Sequence, residues 1–326
     1  MPGSRWRRRA AIALLSLVFL LVLLWIYGNR KTHESEAAYP PIGRFVSVDS
    51  VRLHYVLQGS GRPVVMIHGS DGLLQDFTLT IFDSVASFAQ AIAFDRPGHG
   101  YSGRPDDWPL TLALNARLIY DAVEKLGIVQ PIIVGHSYGG AVALQYALEY
   151  PNDIAGLVLL SPAVYADALP IGRTGATLVM SIPNAPIIGP ILTHCLIAPL
   201  FGLGVEAGIK ASFDPNPVTP AYAQIMKALM PRPSQFSAWA DESAHFRNDL
   251  DSLEEHYGEM TAPAIIVLGQ SDQIAPFDLE GGLLAQVLGD CELVQIPNTG
   301  HMVHHAAPGV VVANIRKMLH AVAGKK

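Results

Sequence analysis

A serine, an aspartate and a histidine able to pass a proton between them stand at distant points of this chain: Ser137, Asp272 and His301. A serine hydroxyl is a weak nucleophile near neutral pH, so it needs a base within hydrogen-bond reach and a third group to orient that base. Ser137 lies in Gly135-His136-Ser137-Tyr138-Gly139, after the apolar run Pro131–Val134 and before the helical-looking Ala141–Leu148. Strand, G-x-S-x-G, helix is the setting of a nucleophile elbow, whose strained serine backbone lifts the hydroxyl clear of the sheet. Bulky neighbours would collide in so tight a turn, hence Gly135 and Gly139, with Gly140 letting the helix approach the strand. Asp272 ends Gly269-Gln270-Ser271-Asp272, directly after the strand-like Ala264–Leu268, and His301 ends Thr299-Gly300-His301 after Cys291–Ile296. In a parallel sheet these strand ends share one edge with Ser137, and Ser, Asp, His is the chain order of an elbow enzyme. His304 and His305 compete with His301, and a lone aspartate in such a loop is more often a turn residue. The oxyanion of an acyl-transfer step needs donors. The Tyr138 N–H at a helix N-terminus and the Ser70 N–H in His68-Gly69-Ser70-Asp71-Gly72 are placed to supply them. Tyr55, Asp95, His99 and His136 read as structural, Asp95 pinning the Gly-rich turn that it begins.

The surrounding pattern supplies the edge that these residues need. Phe45–Val48 and Val51–Val56 alternate as a β-hairpin would. Pro63–Ile67, Ala91–Phe94, Pro131–Val134, Ile154–Leu160, Ala264–Leu268 and Cys291–Ile296 read as further strands, most of them continuously apolar and suited to burial on both faces. Helical spacing over Asp76–Phe88, Leu110–Leu126, Leu283–Leu288 and Val310–Val322 alternates with them, predicting a mostly parallel eight-stranded sheet covered on both sides. The rhythm breaks from Ala163 to about Met260, where Pro and Gly cluster between apolar pieces such as Ile187-Ile188, Ile191-Leu192, Leu196-Ile197 and Leu200-Phe201, with Met226 further on. This is an insertion after the sixth strand.

The 326-residue chain is half hydrophobic and 15% charged. Ala10–Tyr27 is an uncharged run of 18 residues with Arg5, Arg7, Arg8 and Arg9 before it. That length just spans a bilayer as a helix, whereas the apolar core of a cleaved signal is shorter. A retained signal anchor is expected, with secretion after cleavage as the alternative. The positive-inside rule leaves the N-terminus in the cytoplasm and exports the rest to the periplasmic or extracellular side. Residues 1–31 hold six basic groups and no acidic one, so the net −6 leaves −12 on the remainder. An acidic body argues against nucleic acid as a partner. Cys195 and Cys291, the only cysteines, form no disulfide framework. No His, Cys or carboxylate cluster has metal-ligand spacing, so neither metal nor cofactor is expected.

Taken together, His68-Gly69, Asp95-Arg96-Pro97-Gly98-His99-Gly100-Tyr101-Ser102, the elbow, Gly269-x-x-Asp272 and Gly300-His301 resemble the α/β-hydrolase superfamily. The nearest subset holds esterases, lipases, haloperoxidase-like enzymes, epoxide hydrolases and C–C bond hydrolases. The resemblance implies Ser137 as nucleophile, His301 as base, Asp272 as orienting acid, and Ser70 and Tyr138 at the oxyanion positions. It also implies a helical cap that roofs the site and sets substrate choice. Epoxide hydrolases and haloalkane dehalogenases of this fold carry aspartate at the elbow. Ser137 therefore favours acyl over alkyl-enzyme chemistry. The expected organisation is a basic stub and transmembrane anchor over 1–30, a tether over 31–41, the hydrolase core over 42–162 and 261–326, and the cap over 163–260. The expected activity is hydrolysis of a small-molecule or lipid ester. C–C bond hydrolysis, perhydrolase or haloperoxidase chemistry, and a non-catalytic binding role are the alternatives.

Overall fold

Eight strands join into one sheet in the order β1-β2-β4-β3-β5-β6-β7-β8. They are β1 (Arg44–Val48), β2 (Val51–Gln58), β3 (Pro63–Ile67), β4 (Gln90–Phe94), β5 (Ile132–His136), β6 (Gly156–Leu160), β7 (Ala264–Gly269) and β8 (Cys291–Ile296). β2 runs antiparallel to both its neighbours, and every pairing from β4 through β8 is parallel. The computed structural model describes residues 3–105, 108–168, 182–185 and 188–324. Positions 169–181 and 186–187 of the expected cap, Ile187 among them, lie outside the described residues.

The central strands are apolar at nearly every position because both faces are covered. Val65 and Ile67 of β3 point into a core shared with Leu118 and Val142, while Val64 and Met66 point into one shared with Phe77 and Ile315. The helices that supply this cover are introduced here in chain order. α1 (Gly3–Ala38) precedes the sheet. α2 (Gln75–Thr78) and α3 (Phe82–Ala86) stand where a single helix over Asp76–Phe88 was expected. α4 (Leu112–Lys125) begins at Thr111, whose side chain accepts the Leu114 N–H, and ends before Gly127 at a φ of 69°. α5 (Tyr138–Glu149) follows the elbow.

The insertion after β6 is helical. It contains α6 (Ile188–Leu192), a π-helical turn (Thr193–Ile197) running directly into α7 (Ala198–Phe213), then α8 (Pro220–Leu229) and α9 (Pro233–Glu254). α10 (Gly281–Val287), α11 (Val303–Ala306) and α12 (Pro308–Ala323) complete the chain. Among the described residues, two helices are long and apolar enough to cross a membrane: Arg5–Ala38 and the continuous Ile188–Phe213. The first is also what a signal sequence would look like. The expected tether differs from what forms. Residues 31–38 continue α1 as helix, held by Arg30–Glu34 and Lys31–Glu34 pairs at i,i+4 and i,i+3 spacing. Glu36 then meets Arg232, 3.2 Å away at the start of α9.

Candidate active site

β5 enters the elbow and α5 leaves it, with Ser137 between them at φ 52°, ψ −121°. A positive φ on a residue with a side chain stores on the order of 1–3 kcal/mol, which the surroundings must hold in place. They do so from both sides. The Ser137 N–H donates to the Leu160 carbonyl, and its own carbonyl accepts from Gly140 and Ala163. A Cβ on Gly135 would strike the Gly139 carbonyl, one on Gly139 would strike the Ile67 carbonyl, and one on Gly140 would lie 2.7 Å from Pro162 Cβ. The flanking glycines are therefore a packing requirement of the turn.

Asp272 follows β7 and His301 follows β8, and their side chains meet. His301 Nδ1 lies 2.8 Å from Asp272 Oδ2, while Asp272 Oδ1 accepts the N–H groups of Ile274 at 2.8 Å and Ala275 at 2.9 Å. Burial alone would raise the Asp272 carboxyl, but the adjacent His301 ring and these hydrogen bonds hold it below the usual carboxylate range. Ser137 and His301 both line a cavity of about 370 Å³. The two neighbouring histidines pack against aromatic rings. His304 packs between the rings of Phe77 and His136, and His305 lies against Phe213 and Tyr222.

Ser70 lines the same cavity beside Gly69, and a Cβ on Gly69 would come within 3.1 Å of Ser137 Cβ. The loop after β3 thus lies directly against the elbow. Tyr138 is the first residue of α5, a position whose N–H has no partner within a helix. Asp95 takes the structural place expected of it: its carboxylate accepts the N–H groups of Leu74 and Tyr101 and pairs with His54 Nδ1 at 2.7 Å.

The sequence profile of the alpha/beta hydrolase family matches residues 64–314. The chain belongs to that family. Among curated relatives, a 2-hydroxymuconate semialdehyde hydrolase of Pseudomonas putida is 28% identical over 276 residues, 82% of this chain and 91% of that protein. The dihydrolipoyllysine-residue acetyltransferase component of the acetoin cleaving system of Cupriavidus necator is 35% identical over 142 residues. That match covers 43% of this chain and only 36% of the relative. Among solved structures, an alpha/beta hydrolase fold protein from Burkholderia ambifaria superposes with a TM-score of 0.71 at 24% identity, covering 84% of this chain and 97% of that one. This alpha/beta hydrolase is accordingly an enzyme of a hydrolytic family whose chemistry varies among relatives.

Several groups that shape the site of this alpha/beta hydrolase were given no role by the sequence. Arg96 donates to the carbonyls of His68 at 3.0 Å and Gly69 at 2.9 Å, and its guanidinium lies 4.4 Å over the Tyr138 ring. It thereby ties together the two segments expected to form the oxyanion hole. Its own charge is met by Glu242 on α9, so the ion pair links the insertion to the core with both side chains essentially buried. Gln235, also on α9, donates to the Asp71 and Gly72 carbonyls at 3.3 and 3.2 Å. Asn216, in the α7–α8 loop, accepts the Gly300 N–H at 2.9 Å and donates to the Asn298 carbonyl at 3.0 Å, bracing the loop that carries His301. Composition holds no signal for the Arg96–Glu242 pair, because only the folded chain shows that both charges are buried.

Behind Ser137, Asp76, His136 and His304 bring ligand-capable atoms within 4.8 Å of one another, the one such set among the described residues. His136 Nε2 lies 3.2 Å from the His301 carbonyl, which can only accept, so Nε2 carries the proton and Nδ1 is a lone pair. Burial holds His136 and His304 well below the usual imidazole range and pushes the Asp76 carboxyl up to about 8. Neutral groups with orphaned donors and acceptors suit a hydrogen-bonded network with a bridging water. Through His136 it backs the main chain of His301, and Asp76 and His136 also line the cavity that Ser137 lines.

Proposed function

We propose that this alpha/beta hydrolase cleaves neutral carboxylic esters with lipophilic acyl groups, through Ser137, His301 and Asp272. The observation that carries the reading is the His301–Asp272 hydrogen bond of 2.8 Å in the wall of the cavity that Ser137 also lines. Asp272 accepts from Nδ1 and so leaves Nε2 as the lone pair, the state a general base needs. Ser137 attacks the acyl carbonyl as Nε2 takes its proton. The tetrahedral oxyanion forms against the N–H groups of Ser70 and Tyr138, two donors worth several kcal/mol of barrier in a site shielded from water. The proton passes to the leaving alcohol, and water releases the acyl group by the same route. Residues 42–162 and 261–326 form the catalytic body and 163–260 the roof.

Substrate class follows from the cavity wall. Phe201, Val205, Ile209, Met226, Met230 and Trp239 line it, and no Lys or Arg does among the described residues. Asp71 lines it too, its carboxyl pushed up to about 7 by burial. Such a wall accepts hydrocarbon, and its described residues give an anionic substrate no Lys or Arg to pair with. Turnover of a short and a long p-nitrophenyl ester by native protein and Ser137→Ala tests the reading. Equal rates in both proteins would end it.

Likeness to the 2-hydroxymuconate semialdehyde hydrolase favours a second reading, C–C bond hydrolysis on the same triad. The muconate part of that name denotes a carboxylate, for which the described residues lining this cavity include no Lys or Arg. Absorbance loss of a ring-cleavage product, faster than ester turnover, would reverse the preference.

We place the enzyme in a membrane through α1, catalytic body exported. Gly28 is buried on the insertion, Trp25 stacks on His194 at 4.1 Å and Cys195 donates to the Leu21 carbonyl at 3.3 Å. Cleavage of α1 would strip this seat, which supports a retained anchor over secretion.

A further inference from the structure

A helix that is apolar all round needs cover all round. From Ile188 to Val205, through α6, the π turn and the start of α7, there is no charged residue among 18 positions apart from the His194 imidazole, which stacks on Trp25. One face is accounted for: Phe201, Val205 and Ile209 line the catalytic cavity. The opposite face is not. Ile188, Leu196, Leu200 and Leu203 are 60%, 41%, 63% and 82% exposed, with Ile191 at 37%. Their spacing is 3, 5, 4 and 3, and the 5 falls across the π turn Thr193–Ile197. A π turn takes in one extra residue, so the five side chains stay on a single stripe. The polar limit is sharp: Glu206 follows at once, paired with Lys227 at 2.7 Å.

We propose that this stripe is embedded in the lipid leaflet beside α1, so that the cap is a membrane-docked wall of the active site. The proposal rests on the reading of α1 as a retained anchor, and its occupant is bilayer hydrocarbon. Continuity with α1 carries it. The insertion packs on Leu21, Trp25 and Gly28, the last turns of the apolar run that ends at Tyr27. Leu21 is six residues, about 9 Å, inside that end at 1.5 Å per residue. Amphipathic helices lying in a membrane surface bury their apolar faces by about 5–10 Å. The contact therefore sets α6 and α7 at the depth where their outer face meets acyl chains. A single helix then separates the bilayer from Ser137, and a lipid ester reaches the cavity without crossing open water.

The test uses the full chain reconstituted in phosphatidylcholine vesicles, with Cys291→Ser removing the half-buried native thiol and Leu203→Cys carrying a nitrobenzoxadiazole fluorophore. Leu200→Cys is the second position, and Val129→Cys, 74% exposed on the core, is the control. Neither Leu200 nor Leu203 lines the cavity, so each labelled protein should keep native turnover of a soluble ester. With dibrominated acyl chains in the vesicles, the labels at 203 and 200 should shift to the blue and lose most of their emission, and the label at 129 should not. A chain that floats with the vesicles but stays unquenched at 203 and 200 overturns the docking while the anchor stands. Equal quenching at 129 overturns it as well. A chain that fails to float overturns the anchor and the docking together.

Discussion

Exchanging Asp272 for Asn removes one charge and keeps the shape, and the surrounding donors decide which way the amide turns. Oδ1 accepts two backbone N–H groups, from Ile274 and Ala275. An NH₂ there would face two donors, so the amide oxygen takes that side and the NH₂ faces His301 Nδ1, 2.8 Å away in the native protein. An NH₂ cannot accept a hydrogen bond. Nδ1 must then offer a lone pair, and the imidazole proton moves to Nε2. Nε2 can no longer take the Ser137 proton. Where the same tautomer is forced in a serine protease, turnover falls on the order of 10⁴-fold, about 5 kcal/mol of barrier. Turnover of a p-nitrophenyl ester by Asp272→Asn should fall by that order, with circular dichroism and melting temperature showing the fold intact. A folded variant within tenfold of native would refute the assignment of Asp272 and His301 as a coupled pair.

Three further outcomes follow from packing and charge. Gly135→Ala places a methyl against the Gly139 carbonyl, and overpacking of this kind should destabilise by about 1–3 kcal/mol, read as a lower urea midpoint. Glu242→Ala leaves the buried Arg96 guanidinium unpaired. It should cost about 3–5 kcal/mol and lower kcat as well, since Arg96 also fixes the Gly69 carbonyl. Glu280 is pushed up to about 8 by burial, although it accepts the Val164 and Tyr165 N–H groups. The folded state keeps this proton where the unfolded chain has lost it, from its ordinary value of 4.5 up to about 8. The folded state binds more protons in that window, so stability falls as pH rises through it. Glu280→Gln is permanently neutral and should raise the melting temperature relative to native more at pH 9 than at pH 6.

Most of the sheet was legible because its strands are short apolar runs between turn residues, and burial on both faces demands such runs. The loops bearing Ser137, Asp272 and His301 were legible as positions for the same reason: they end strands that had already been placed. Among His301, His304 and His305 the sequence favoured His301 only through the Gly300-His301 resemblance, since adjacent histidines differ in which way a loop turns them. His304 packs between Phe77 and His136, and His305 packs on Phe213 and Tyr222. Glu242 and Asn216 escaped because they reach Arg96 and Gly300 from 146 and 84 residues away, out of an insertion with no regular alternation. The helical end of α1 escaped because Lys31–Ala38 is polar, and short-range charge pairs and a docking partner decided its form.

The bond from Asn216 to the Gly300 N–H has a bearing on how this enzyme could be re-engineered or could have diversified. Under the mechanism we propose, the roof grips the very segment that seats the His301 imidazole, so specificity and reactivity share a hinge pin. A roof transplanted from a cousin would carry its taste for substrate with it yet leave the imidazole adrift unless an equivalent of Asn216 came too. New specificities in this lineage are therefore better sought in the helices that wall the chamber than in wholesale exchange of the canopy.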